Sequence, residues 1–491
     1  MKRNHFYILF LIVLFACTSA IASPNRFEIE QGGTVSDQIE SNVINDLLTV
    51  QNTVWVATGG TLSKTDNLGE SWTIYNKSDG IGRGGIAALV ERNGVIWLST
   101  IIDSSFAGSD VYAGAGLTYS EDFGETWHYI PQPIDSADIT EYEPIKTTME
   151  NMTWDIALTD STIWIACKGG GVRRSTDMGK SWHVVTIDGK PLDPEGNYSH
   201  RPFSVVFDET SIWLGTGAGI HKSSDGGKTW VTYDHRNNNI PANWVRALKV
   251  QFYSDKKIIW AACAETDVYD STAYRGIAKS EDDGKTWIPM LEGEFAHSFG
   301  FESSGAVYVA TDNGMFKSLD FGETWAVFPM IQDSENGEVI YTSEMTVMTE
   351  GPNHSVWLGA GLEGLAMTQD NGMTWKIFRS FKIPGESGEP ESYAYPNPFS
   401  PSRNNVIGDD GHVRIQYQLK KSASITLRIY DFGMNLVASV IQDKVRSVPG
   451  DYSEVWNGRN DVGDIVANGV YFYKLEISGR GALWGKVMVV K

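Results

Sequence analysis

SSDGGKTW, residues 223–230, combines serines, an aspartate, a Gly-Gly pair and a closing tryptophan. In isolation it suits a metal loop, a catalytic loop or a tight turn. It is not isolated. TDNLGESW from Thr65, SEDFGETW from Ser120, STDMGKSW from Ser175, SEDDGKTW from Ser280, SLDFGETW from Ser318 and TQDNGMTW from Thr368 share its pattern, [ST]-x-[DN]-x-G-x-[ST]-W. Seven copies at a period of about 50 residues mark a repeat architecture rather than a single site. A calcium loop needs several spaced carboxylates, which this motif lacks, so no metal and no cofactor is expected.

Each copy follows a short apolar run: VWVAT at 54–58, IWLST at 96–100, IWIAC at 163–167, IWLGT at 212–216, IWAAC at 259–263, VYVAT at 307–311 and VWLGA at 356–360. Their alternation of large and small apolar residues is that of a buried strand. A third run precedes each of these, and a fourth follows each tryptophan, so every unit holds four short antiparallel strands. One such sheet buries too little on either face; seven packed radially bury both faces and leave short edges. The chain therefore reads as all-β, with a seven-bladed β-propeller over residues 34–384. The motif glycine supplies the positive φ of a tight hairpin, the Asp and Ser/Thr side chains satisfy backbone N–H groups of the turn, and the tryptophan packs between blades.

The N-terminus fits a secretory signal peptide over 1–22: Lys2 and Arg3, an apolar run from Phe6 to Ala16, and small residues at Ala20–Ala22. Residues 23–33 form an N-terminal segment, and no membrane span is expected after signal removal. The formal charge of −21 disfavours nucleic acid and anionic membrane surfaces, which are themselves polyanions. Cys167 and Cys263 occupy one column of the repeat, two repeats apart, which makes them core thiols rather than a disulfide.

The repeated motif resembles the Asp-box, or bacterial neuraminidase repeat. In Asp-box proteins this turn joins strands three and four on the face away from the ligand. The resemblance implies a ligand face at the opposite end, built from the loops between strands two and three and between blades. Two repeats carry insertions there, DSSFAGSDVYAGAG at 103–116 and ETDVYDSTAYRG at 265–276. Long loops on a rigid scaffold are where function concentrates. Asp110, Tyr112, Asp267, Tyr269 and Tyr274 from these insertions, with Arg246 and His297 on inner strands, are the candidate ligand contacts. The connections containing EYEPIKTTMENMTW, DPEGNYSHRP and QDSENGEVIYTSE lead to the same face. Asp46, Asp155, Ser204, Arg246, His297 and Glu344 lie near the axis, where polar residues line a channel. Asp155 and Glu344 are the candidate acid/base carboxylates for a glycosidase.

Among Asp-box families, sialidases use an arginine triad and an Arg-Ile-Pro signature; the signature is missing here, and Arg201 with Arg246 does not make a triad. Xyloglucanases pair two seven-bladed propellers, whereas this chain has one. Photosystem assembly propellers are single seven-bladed domains that bind protein. The resemblance therefore implies a binding propeller for an extracellular glycan or protein, with a sialidase-like or xyloglucanase-like glycoside hydrolase as the alternative.

Residues 385–394 read as a linker rich in Pro, Gly and Ser. Alternating runs then return over 395–491 and predict an immunoglobulin-like β-sandwich. Tyr395-Pro-Asn-Pro-Phe399, Ile429-Tyr-Asp431, Trp456-Asn-Gly-Arg-Asn460, Asn468-Gly-Val-Tyr-Phe-Tyr473 and Lys486–Lys491 resemble the FlgD-like fold and the type A C-terminal sorting domain of type IX secretion. That resemblance implies the type IX secretion machinery as a partner and a secreted or outer cell-surface location.

Overall fold

The computed structural model describes residues 33–106, 109–264, 272–335, 338–380, 384, 390–402, 411–447 and 449–491. The segment 1–22 expected to be a signal peptide, Asp267 and Tyr269 lie outside them. Seven antiparallel sheets follow one another along the chain, each with four strands running outward from an inner strand and the first with a fifth strand on its outer edge. The inner strands are Ile44–Val50, Gly85–Arg92, Thr153–Leu158, Pro202–Phe207, Trp244–Tyr253, Ala296–Phe301 and Val347–Glu350. Each contacts the next, and the seventh contacts the first, so the blades close into a ring.

The seam joins complete blades. The short strand Thr34–Ser36 pairs with Trp72–Tyr75 on the outer edge of blade one and does not bridge to blade seven. Instead, Thr346 Oγ1 donates to the Ile44 carbonyl at 2.8 Å. The Asn42 side chain accepts the Ser380 N–H at 2.6 Å and donates to the Ser380 carbonyl at 3.2 Å. Ile44, Val54, Val347, Trp357 and Leu365 form one apolar core across the seam.

SSDGGKTW is the hairpin between strands three and four of blade four. Ser223 Oγ donates to Asp225 Oδ1 and accepts the Gly227 N–H, both at 2.8 Å. Asp225 then accepts the Thr229 N–H at 2.9 Å and its hydroxyl at 2.6 Å. The same bonds hold the equivalent carboxyls low: those from Ser181 keep Asp177 at about 2, and those from Thr324 keep Asp320 at about 2. In the first copy Asn67 Oδ1 still accepts, while Nδ2 now donates to Ser71 Oγ at 2.8 Å. The backbone corrects one detail of the sequence reading. Not only the glycine but also the residue before it has positive φ, as in a type I′ turn, and that residue is Leu68, Phe123, Met178, Asp283, Phe321 or Asn371 elsewhere. The side-chain bonds over-determine the turn and hold these residues in the left-handed region.

The turn glycine has a second role. Strand two of each blade carries an indole (Tyr308 in blade six); in blades one to five this ring reaches the turn glycine of the following blade, while Phe328 and Phe378 meet Gly372 and Gly69 at the last two joints. Trp55 meets Trp127 edge-on at 6.1 Å, Trp164 meets Trp230 at 6.4 Å, Trp213 meets Trp287 at 6.3 Å and Trp260 meets Trp325 at 6.3 Å. Across the seam Trp357 meets Trp72 at 6.1 Å. A Cβ on Gly284 would sit 2.9 Å from the Trp213 ring, and one on Gly227 2.7 Å from the Trp164 ring. Cys167 and Cys263 are free and buried, and burial pushes the Cys263 thiol up to about 12.

Two further sheets share a single core. Ser392–Tyr395, Val413–Leu419 and Gly450–Trp456 form one; Leu436–Arg446, Ala423–Tyr430, Gly469–Ile477 and Gly481–Val489 form the other. This sandwich docks on blade seven through buried charges. Glu338 and Glu363 of the propeller meet Arg379 of the propeller and Arg414 of the sandwich. Arg379 Nη1 lies 2.5 Å from Glu338, and Arg414 Nη2 lies 2.7 Å from Glu363. Ser453 of the sandwich donates its N–H and hydroxyl to Glu338 at 3.1 and 2.9 Å. Burial, with Arg414 alongside, lowers Arg379 to about 10.

Two outcomes follow from this packing. Gly284→Ala combines a positive φ with a clash against Trp213 and should destabilise the propeller by about 2–5 kcal/mol in chemical denaturation. Gly94→Ala, also at positive φ but facing open space, should cost only the backbone share, about 1–2 kcal/mol. Arg414→Ala leaves two buried carboxylates to Arg379 alone. It should cost about 3–5 kcal/mol and separate the melting of the sandwich from that of the propeller in calorimetry.

Candidate functional site

All the repeated turns lie at one end of the ring. At the opposite, upper end, the strand two–three loops and inter-blade connections enclose a groove of about 1260 Å³ over blade three. Its walls are the connections from blade two to three and from blade three to four. Tyr142, Lys146, Glu150, Lys168, Asp188 and Arg201 are among its lining residues.

Both walls are held by buried polar anchors. Asp135 pairs with Arg173 at 2.7 Å, both nearly inaccessible, and also accepts the Ile145 N–H at 2.8 Å. In the second wall His200 Nδ1 accepts the Asp193 N–H at 3.0 Å, so its proton is on Nε2, which donates to Asp188 at 2.9 Å. Burial raises the Asp188 carboxyl. Hydrogen bonds from Lys190, His200 and Asn197 outweigh this and hold it well below the usual range. A buried ion pair specifies position more than it adds stability, which suits a wall that has to keep its shape.

The 103–116 insertion, read from the sequence as a loop, is a hairpin. Val95–Phe106 and Ser109–Ser120 continue the two middle strands of blade two upward, with Asp103 opposite Tyr112 and Ser105 opposite Asp110. Ladder pairing runs on from Ile101 opposite Gly114 to Phe106 opposite Ser109, beyond the point where the other blades turn back. The hairpin docks on the groove wall: Gly114 N–H donates to Thr148 at 2.8 Å and Glu150 N–H to Tyr112 at 2.9 Å. The Tyr112 ring is exposed. Tyr274 is half-buried, and burial raises its phenol. His297 is paired with Asp312 at 2.7 Å.

From the groove an aromatic path crosses blade four. The Arg201 guanidinium, tethered through Nε to the Pro194 carbonyl at 2.9 Å, lies over Tyr198 at 5.2 Å. Tyr198 meets Trp244 at 6.1 Å, and Trp244 meets Phe203 at 4.6 Å. The sequence reading flagged the connection containing Tyr198 but not Trp244. A tryptophan outside the two repeated columns was the available signal.

Asp155 and Glu344 are not brought together. Asp155 sits on the inner strand of blade three, and Glu344 is exposed on the connection entering blade seven. Asp155 Oδ2 accepts the Ser204 hydroxyl at 2.7 Å and the Val205 N–H at 2.9 Å, and Oδ1 accepts the Ile156 N–H at 2.9 Å. Asp46 does the same two joints earlier, accepting the Leu89 N–H at 2.9 Å, and Ser204 Oγ accepts the Leu248 N–H at 3.0 Å one joint later. These residues stitch one inner strand to the next at the bulge in each. Burial pushes both carboxyls up, Asp46 to about 6. Among the described residues they are the carboxyl groups shifted upward, and both already serve the scaffold.

No family model and no curated protein matches the chain. Solved structures match in fold. The GH74 enzyme of Niastella koreensis is 15% identical with a TM-score of 0.51, over 94% of this chain and 75% of that one. The GH74 xyloglucanase of Xanthomonas campestris is 14% identical with a TM-score of 0.51, over 92% and 67%. PorZ, an essential bacterial surface component of the type-IX secretion system of Porphyromonas gingivalis, is 15% identical with a TM-score of 0.42, over 90% and 64%. The chain thus spans less than two thirds of the length of PorZ. No helix among the described residues is long and apolar enough to cross a membrane.

The Asp46 carboxyl sets a pH dependence. Its folded value is raised, so the folded state binds the proton more tightly and stability falls as pH rises from about 4 to about 6. Denaturant midpoints should therefore increase from pH 7 to pH 5, by about 1.4 kcal/mol per unit inside that window. Asp46→Asn should flatten the rise.

Proposed function

We propose that this chain is an exported propeller that binds an extracellular glycan or protein ligand on its upper face. The observation that carries this is the groove over blade three, with walls fixed by the Asp135–Arg173 and Asp188–His200 anchors and the exposed Tyr198 ring beside its Arg201 edge. Rigid aromatics beside a few fixed polar groups are what ligand sites use. The alternative, a glycoside hydrolase, shares the fold of the GH74 enzymes. A glycosidase needs one carboxyl kept protonated near a second, and the raised carboxyls here are occupied by backbone N–H groups. Export rests on the signal-peptide segment and on the resemblance of the sandwich, with its Trp456-Asn-Gly-Arg motif, to FlgD-like and type IX sorting domains. In this reading the repeated turns are Asp-boxes on the face turned away from the ligand. In the same reading Tyr112 and Tyr274 contribute to the rim of the binding face; Asp267 and Tyr269 lie outside the described residues.

A glycan array probed with the full chain should show selective binding, with no turnover of aryl glycosides. Tyr198→Ala and Arg201→Ala should each weaken that binding by about tenfold, or about 1.4 kcal/mol. Lys228→Ala in the lower turn should leave it unchanged. Hydrolysis lost in Asp155→Asn but retained in Tyr198→Ala would favour the enzyme instead.

A further inference from the structure

The upper end of the axis holds two guanidiniums that share one ring and stand in no ion pair among the described residues, with Asp312 the carboxylate that acts on Arg246 through space. Arg246, at the start of the blade-five inner strand, lies 4.5 Å from the centre of the Phe295 ring, and Arg275 lies 5.6 Å from the same centre. Among the described residues neither guanidinium has a side-chain or backbone acceptor, and neither is in an ion pair. The nearby carboxylates are committed elsewhere: Asp312 to His297 at 2.7 Å and Glu294 to Asn313 at 3.0 Å. In a chain of net charge −21, acidic partners are abundant. Two arginines left unpaired on one ring therefore stand out against the surface around them.

An arginine held flat on an aromatic ring keeps its edge N–H donors free, and that edge matches a carboxylate bidentately. Arg246 is half-buried, so a contact there is screened less than one at the open surface. Two residues before it stands Trp244, the middle ring of the path that leads back through Tyr198 to Arg201 and the groove. Ring faces followed by a guanidinium fit a saccharide that carries a carboxylate: the rings stack on sugar faces and the guanidinium takes the acid.

We propose that Arg246, with Arg275 and Phe295, forms a carboxylate subsite at the end of the aromatic path, and that the ligand is an acidic oligosaccharide containing uronate residues. The subsite rests on the upper-face reading above, but it fails separately. Isothermal titration of the full chain would use trigalacturonate and its methyl ester. The expected result is saturable binding of trigalacturonate that weakens as salt is raised. Binding should be about tenfold weaker or more for the methyl ester and in Arg246→Ala, and partly restored in Arg246→Lys. Both variants should remain folded with cooperative melting, Arg246→Ala losing at most the ring contact with Phe295. Equal affinity for acid and ester, or no change in Arg246→Ala, would overturn the subsite. So would the absence of trigalacturonate binding while array-selected neutral glycans still bind in a Tyr198-dependent way, and that outcome would leave the groove standing. Stronger competition by a peptide with a free C-terminal carboxylate than by any uronate would assign the cations to a polypeptide and overturn the saccharide.

Discussion

The propeller depends on one contact repeated round the ring: an aromatic ring of one blade laid against the turn glycine of the next, from strand two at five joints and from Phe328 and Phe378 at the other two. It fixes several things at once. The indole edge leaves no space for a Cβ at Gly227 or Gly284. The turn tryptophan packs edge-on against that same ring. The turn must then hold its backbone in the left-handed region at two successive residues, which the Ser–Asp–Thr bonds enforce. Sequence motif, hairpin and blade packing are thus one constraint seen at three scales. Variation is accommodated within it: Tyr308 replaces the indole in blade six, where the stack runs through Phe328 to Trp375.

Much of this was legible in the sequence because repetition turns weak local signals into one strong one. Seven copies gave the number of blades, the order of strands and the end of the ring on which the turns lie. What a single chain could not show was pairing across blades. The second role of the turn glycine depends on a ring 63 residues away in the chain for Gly227 and Trp164 and 71 for Gly284 and Trp213, a separation that the repeat period alone does not turn into a contact. The 103–116 segment misled for a related reason. Its serines and glycines look like loop, but once the flanking strands are in register the ladder continues through them.

The candidate site was legible in outline and not in detail. Long connections pointed to the upper face, and the structure gathers two of them into the groove. The axial residues divide by role. Asp46, Asp155 and Ser204 resemble a reactive cluster when listed by position. In three dimensions each accepts backbone N–H groups of the next blade, and their chemistry is spent on holding inner strands together. Arg246, one bulge further round, has no such task. Residues at equivalent positions thus differ in whether the scaffold has already used them, and that property cannot be read from residue type.

The seam has a consequence for how such a chain changes length. Thr34–Ser36 stays on the edge of its own blade, and blade seven meets blade one through the kind of lateral contact found at the other joints. Every unit is whole, and no strand is shared between the two ends. The chain break is therefore not a privileged position in the ring. A genetic cut between any two blades, with the old ends joined, would move the opening without removing a strand. Gain or loss of a unit would remove or add one complete wedge, which makes circularly permuted and blade-duplicated descendants reachable in a single recombination step.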